Sequence, residues 1–358
     1  MKHQIISKKP KDKQRNKHID LIKGIAIILV VIGHNIQYGS GYIFYSEELY
    51  FNNRLFQFIY SFHMPLFMLV SGYLFFGTVE RYTFKELITS RILKIFIPII
   101  VCTLIVNVIQ EICYLILGEN IQIVNFVKHL ISSIIYNLWF LWAIFFSSML
   151  VIVVNKFFKD NVIVYCIILS ILLLFPDIYN AHLYKYMYPY FVGGYLYKKY
   201  RIDEQISHLS FRAKSIGFTS LALVFIILLP FFNYESYIYT SKISLLGKDI
   251  MNQLGINIYR WLIGFIGSTF IICLVVMFDK VFNLLNVVII KLGQNSLGIY
   301  IISTLFINTQ ILLPLTENYE LGILLMIVET IFILVVCYFA TEVIKYFRLT
   351  NRLMLGGR

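Results

Sequence analysis

Ten long apolar segments, separated by short polar ones, dominate this chain and restrict what it can fold into. They run over about 20–38, 55–76, 92–117, 134–154, 162–176, 186–200, 216–232, 258–278, 289–313 and 321–345. Most approach the ~20 residues a helix needs to cross a ~30 Å hydrocarbon core, and the fifth and sixth are short. Charged residues make up 14% of the 358 positions and hydrophobic ones 59%. A soluble protein carries roughly 25% charge, so the charges here are too few to cover a water-soluble core. The segments are continuous rather than alternating with period two, which argues against a β-barrel. The expected fold is an all-α polytopic integral membrane protein of about ten transmembrane helices.

No soluble domain fits between the segments, and the longest polar connection is roughly 233–257. The basic start resembles a signal peptide only superficially. Its tail is long, Lys23 and His34 interrupt the apolar run, and no small-residue cleavage site ends it, so it reads as a retained first helix. The expected organisation is a basic cytoplasmic tail over 1–19, a membrane domain over 20–345 and a second basic cytoplasmic tail over 346–358.

A net charge of +12 invites a nucleic-acid reading, but its placement argues otherwise. With the N-terminus in the cytoplasm, 25 of the 31 Lys and Arg residues fall on the inner side. The outer side keeps Arg54, Lys128, Lys185, Lys242, Lys248 and Arg260. The positive-inside rule then gives an N-in, C-in orientation. The charge is a topology signal and an attraction to anionic membrane lipid, with no nucleic acid among the expected partners. The expected location is the cell (plasma) membrane. The five cysteines lie inside apolar stretches without metal spacing, so no metal site is expected.

Polar residues inside apolar segments are expensive and point to chemistry. On the first helix, Lys23 and His34 are eleven residues apart. That is close to three turns, so both lie on one face, about 16 Å apart along the axis. On the second helix, which runs the other way, His63 falls at a depth similar to His34. Pro65 can open the helix beside it. The structural alternative for either histidine is an ordinary helix–helix hydrogen bond. Arg91 and Lys94 enter the third helix on one face and read either as a phosphate clamp or as snorkelling topology charges. Arg260 reads as a contact to acceptor or to an acidic partner, or as an outer anchor. Trp139 and Trp142 read as sugar-stacking or interfacial aromatic residues. Glu111 and Glu329 lie inside helices and receive no role.

These stretches resemble the acyltransferase-3 family of integral membrane O-acyltransferases, nearest its fucose 4-O-acetylase-like branch. Lys23-x10-His34 resembles the family's first-helix signature. Phe62-His63-Met64-Pro65-Leu66-Phe67 with Ser71-Gly72-Tyr73 resembles its second-helix motif, and Arg91-x-x-Lys94 with Pro98 its cytoplasmic basic pair. Weaker similarities lie at Trp139-Phe140-Leu141, Gly193-Gly194-Tyr195-Leu196 and Asn295-Ser296-Leu297-Gly298-Ile299-Tyr300. The chain departs from the pattern with Lys at 23, where many relatives carry Arg. Ser303 stands where many place His. What the resemblance implies is acyl transfer, most often acetyl. The donor is cytoplasmic acetyl-CoA or another acyl-CoA, with no permanently bound cofactor. The acceptor is a hydroxyl of a cell-surface polysaccharide or its lipid-linked precursor. Lys23, Arg91 and Lys94 would hold the donor's phosphates. His34 would act as general base or take the acyl group itself. His63 would orient His34 or bind acceptor, and Arg260 and Trp139 would face the acceptor. The alternative is an exporter of a polysaccharide or lipid-linked sugar, which would line a route through both leaflets with charges or broken helices. The oligomeric state is not readable.

The charge pattern makes a topology prediction. Reporter fusions after Ser40, Asn120 and Ser236 are expected to read outside, and fusions after Gly77, Asp160, Ser207 and the C-terminus inside. A C-terminal fusion that reports outside breaks the scheme.

Overall fold

The computed structural model describes residues 16–39, 51, 53–116, 118, 123–247, 249–278, 283–308 and 319–357. Residues 1–15 of the basic tail, Ser40, Asn120, Lys248, Lys280, positions 309–313 of the ninth apolar segment and Arg358 lie outside the described residues. Among the described residues every regular element is helical. Two helices sit at the centre, α1 (Lys17–Gly39) and α2 (Arg54–Val79). Next come α3 (Phe84–Arg91), a π-helix (Ile92–Phe96), α4 (Ile97–Ile116), α5 (Ile123–Tyr136), α6 (Trp139–Phe158), α7 (Val162–Leu173), α8 (Ala181–Lys199) and α9 (Ile202–Ser207). The rest are α10 (Phe211–Leu228), α11 (Ile250–Phe278), α12 (Asn283–Gln294), α13 (Ser296–Asn308), α14 (Tyr319–Tyr346) and α15 (Arg348–Leu355). The protein is an all-α polytopic membrane protein.

Among the described residues, seven helices are long and apolar enough to cross a membrane, or eight if α12 and α13 form one broken span. Of the two further spans expected from sequence, α7 has 12 residues. That is about 18 Å, short of a ~30 Å core. The other, α8, is long enough but polar, with six tyrosines, His182 and Lys185 in 19 residues. Its composition has a tertiary explanation. It packs on α2, α6, α7 and α11, so protein rather than lipid surrounds most of it. By contrast, α10 is almost all exposed and correspondingly apolar.

Small residues set the closest helix contacts. A Cβ on Gly72 of α2 would collide with the Phe191 carbonyl of α8, and one on Gly194 of α8 with the Leu69 carbonyl of α2. The same device joins α1 to α12, where Gly24 meets the Ile289 carbonyl and Gly293 the Asp20 carbonyl. Without a side chain, the backbones approach until dispersion contacts are dense, which drives helix association in lipid.

Two breaks have local causes. Pro98 has no N–H for the Lys94 carbonyl, and the ladder widens to a π-helix just before it, with the Ile97 N–H bonded to Ile92 O. The expected ninth span bends by 69° at Asn295. There the Asn295 amide bonds back to the Lys291 carbonyl at 3.0 Å and accepts from Lys345 of α14, which competes with the helix ladder. Sequence reading also missed α5, whose first half falls in what reads as a connection.

The connection between α10 and α11 is held at the end of the bundle where α1 finishes. Asp177, 2.8 Å from buried Lys185, accepts the backbone N–H groups of Ile243 and Ser244 at 2.9 Å each. Burial pushes the Asp177 carboxyl up, but Lys185 and those two N–H groups outweigh it and hold it below the ordinary carboxylate value. A depressed carboxylate stabilises above its unfolded pKa, and the effect is lost as pH falls through the folded value. Limited proteolysis of the 233–247 connection is therefore expected to accelerate only below the usual carboxylate range. Asp177→Ala, which strands the buried ammonium, is expected to cost about 3–5 kcal/mol and to make cleavage fast at neutral pH. Wild-type protease resistance in that variant would refute the clasp.

Candidate active site

The two histidines lie on the two central helices, which pack on each other. Gly33 on α1 leaves room for the Tyr60 ring of α2, and a Cβ there would sit 2.8 Å from Tyr60 Cε2. The Tyr60 hydroxyl donates to Gln37 Oε1 at 2.8 Å, which fixes the register of the pair. His34 is the neighbour of Gly33, and His63 lies one turn from Tyr60, with ring centroids 4.7 Å apart. The imidazoles are near enough for a charge on one to act on the other. Both histidines therefore sit next to the Gly33–Tyr60 contact between α1 and α2.

The rings are held differently. His63 is 2% exposed, and its Nδ1 lies 2.8 Å from the Ile59 carbonyl one turn back. A carbonyl only accepts, so Nδ1 carries the proton and Nε2 is left as an acceptor. His34 is partly buried and touches Tyr38 edge-on at 5.9 Å. Its Nδ1 is buried without a hydrogen-bond partner among the described residues. An unsatisfied buried imidazole nitrogen beside a ring of fixed tautomer suits a group that must bind or transfer a proton.

An aromatic roof covers this level from the Gly39 end. Tyr237 packs on Tyr60 at 5.5 Å, Tyr239 packs on Tyr237 at 5.3 Å, and Trp139 of α6 meets Tyr239 at 5.7 Å. Trp142 donates its indole N–H to the Ile134 carbonyl at 2.8 Å, which ties α6 to α5. The roof tyrosines were not singled out from sequence. The signal was present in the Tyr234, Tyr237, Tyr239 run of the longest polar connection, but only the tertiary structure folds that connection over the histidines.

Of the two sequence readings of Arg260, its surroundings match the anchor. It is 1% exposed, and its guanidinium faces the α10–α11 connection. Nε donates to Ser236 O at 2.9 Å, and Nη1 to Lys242 O at 2.8 Å and Asn257 Oδ1 at 3.2 Å. Nη2 donates to Glu235 O at 2.5 Å and to the Ser241 hydroxyl. These contacts use all five donors of the fork, so none is left for an acceptor. Arg260 anchors the roof.

The other basic residues singled out lie toward the opposite end. Lys23 is on α1, Arg91 immediately precedes the π-turn and Lys94 lies within it, and the turn packs on α3, α4, α6 and α15. Arg91 crosses to α2 with its guanidinium carbon 4.7 Å from the Phe75 ring centroid. Its Nε is buried without a partner among the described residues. The π-helix gives Arg91 and Lys94 a wider angular spacing than a regular helix would. The backbone of Gly356, at φ +61°, closes directly on Lys94, so the C-terminal segment also shapes this end.

A membrane helical bundle with this paired-histidine centre and basic end has the features of a membrane-embedded acyltransferase. The chain belongs to the acyltransferase-3 family, whose model, described as an acyltransferase domain, matches residues 16–342. It is 32% identical over 204 residues to nodulation protein NolL of Sinorhizobium fredii, covering 56% of this chain and 53% of that protein. It is 30% identical over 185 residues to nodulation protein NolL of Mesorhizobium japonicum, covering 51% and 48%. The chain therefore spans about half the length of the curated relatives it matches. No solved structure matches it.

The anchoring role of Arg260 separates cleanly from substrate contact. Arg260→Lys keeps the charge and loses the fork, so melting of the detergent-solubilised protein is expected to fall by several degrees. An acceptor KM that changes while thermal stability stays at the wild-type level would return Arg260 to the acceptor site.

Proposed function

We propose that this membrane acyltransferase moves an acetyl group from acetyl-CoA, at the basic end of the bundle, to a hydroxyl of a cell-surface carbohydrate or its lipid-linked precursor at the roofed end. On this reading the protein lies in the plasma membrane with its basic end in the cytoplasm. The observation that carries the reading is His34, whose buried Nδ1 lacks a hydrogen-bond partner among the described residues at the point where α1 meets the His63-bearing helix. Support also comes from Lys23, eleven residues down the same helix. That is about 16 Å, so a donor with phosphates at one end and a thioester at the end of a long flexible arm suits the pair. Arg91, with a buried donor left over, and Lys94 suit the phosphates.

His34 acts as general base on the acceptor hydroxyl or as the nucleophile that carries the acetyl group, and His63 orients it. In the first case the proton passes to His34 as the hydroxyl oxygen attacks the thioester carbonyl and the CoA thiolate leaves. In the second the imidazole forms and later breaks the acyl bond. An exporter would need polar groups lining both halves of a path. The histidine centre joined to one basic end favours the enzyme.

The test is acetyl content of the surface glycan, with membrane protein level as control. His34→Ala is expected to abolish acetylation at near-normal expression, and Lys23→Arg to retain much of it. Arg91→Gln with Lys94→Gln is expected to raise the donor KM about tenfold or more, for two lost charge-assisted contacts. Full acetylation in the His34→Ala strain would refute the mechanism.

A further inference from the structure

Beside the roof lies a feature the reaction as described does not use. A cleft of about 170 Å³ opens between α4 and α5, lined by Gln110, His129, Ser132, Ser133, Tyr136 and Asn137. Its surroundings are apolar. Val108, Ile109 and Ile112 of α4 and Val124, Val127 and Ile131 of α5 are all exposed, as expected of a lipid-facing surface. Helix α5 is thus two-faced, with an apolar stripe at 124, 127 and 131 and a polar one at 129, 132, 133 and 136. The cleft gathers six polar residues along the face of α5 opposite its apolar stripe.

Part of that polarity is a seam between helices. The Ser133 hydroxyl donates to Asn107 Oδ1 at 3.2 Å, and the Asn107 amide donates to the Thr103 carbonyl at 2.8 Å. The seam accounts for Ser133 and leaves His129, Ser132 and Tyr136, which are exposed on the cleft. The lining side chains are two amides, two hydroxyls, a phenol and an imidazole, with no carboxylate, ammonium or guanidinium among them. Such a set both donates and accepts and carries no fixed charge. It matches an uncharged polyol better than a phosphate or a cation. Tyr136, nearly half exposed, adds a flat face against which the C–H side of a sugar ring can lie.

The cleft is framed rigidly against the roof. Asn180 donates to the Tyr136 carbonyl at 3.1 Å, and Trp142 to the Ile134 carbonyl at 2.8 Å. Asn137 is two residues from Trp139, across the left-handed turn at Leu138 with φ +49°. Trp139 leads through Tyr239, Tyr237 and Tyr60 to His63.

We propose that this cleft is a docking subsite for a neutral sugar residue of the acceptor, a neighbour of the residue that is acylated. The proposal rests on the carbohydrate-acceptor reading, and the experiment separates the two. Purified protein in detergent is mixed with methyl glycosides of glucose, galactose, N-acetylglucosamine and rhamnose, and binding is read by saturation-transfer NMR. At least one glycoside is expected to bind wild type and His34→Ala alike. That binding is expected to weaken about tenfold in His129→Ala and in Tyr136→Ala, as the loss of a hydrogen bond or a stacking face implies. Val127→Ala, on the opposite stripe of α5, is expected to bind as wild type does. In turnover, His129→Ala is expected to raise the acceptor KM with the donor KM unchanged. Undiminished binding in both cleft variants overturns the subsite, as does absence of binding by every glycoside. A fall in donor and acceptor terms together also overturns it and makes the cleft part of the interhelical seam. Failure of the acyl-transfer reading looks different: glycosides bind and depend on the cleft, while no thioester is consumed.

Discussion

The arrangement depends on backbones that touch. At Gly72 and Gly194, α2 and α8 approach until the carbonyl of one lies where a side chain of the other would be. At Gly24 and Gly293, α1 and α12 do the same. Membrane helices gain little from the hydrophobic effect when they meet, so the density of contact decides which pairs form. These glycines place α1 and α2 in the middle of the bundle. The Gly33–Tyr60 contact then sets the register of the two histidine-bearing helices. Each further feature of the site is built out from that crossing.

The charged groups divide the molecule into two working ends. At the Gly39 end, Arg260 and the Asp177–Lys185 pair use their charges on the connection between α10 and α11. The result is a roof of tyrosines pinned by buried ionic groups, which is rigid because removing either partner strands a charge. At the Lys17 end, Arg91 keeps a buried donor in reserve, and the chain around it is irregular, with a π-turn and a returning C-terminal segment. Among the described residues, Arg260 uses all five of its donors on the protein, whereas Arg91 Nε has no partner. That contrast suits the proposed reading of a donor site at one end and an acceptor site at the other.

Much of this was legible in the residues. The apolar runs define the helices because a bilayer accepts little else, and Lys23-x10-His34 shares a face because the helical period is fixed. His63 and Arg91 stood out because polar groups in such runs are expensive. Arg260 could be read as an acceptor contact or as an anchor, since its cost is visible in sequence but four of its five acceptors come from a connection whose path is not. The span count was uncertain for a related reason. Hydropathy measures a helix against lipid, and α8 is packed mainly against protein.

The sequence by itself determined that the chain is a helical membrane protein, which way its charges bias it, and which few residues are too costly to be filler. These follow from solvent and helix geometry, and both act locally. Only the tertiary structure decided that His34 Nδ1 lacks a hydrogen-bond partner among the described residues while His63 is fixed by its own helix, that Arg260 is an anchor, and that α5 carries a polar cleft beside Trp139. Those outcomes turn on which groups are left unsatisfied once every helix has found its neighbours, and no single segment contains that information.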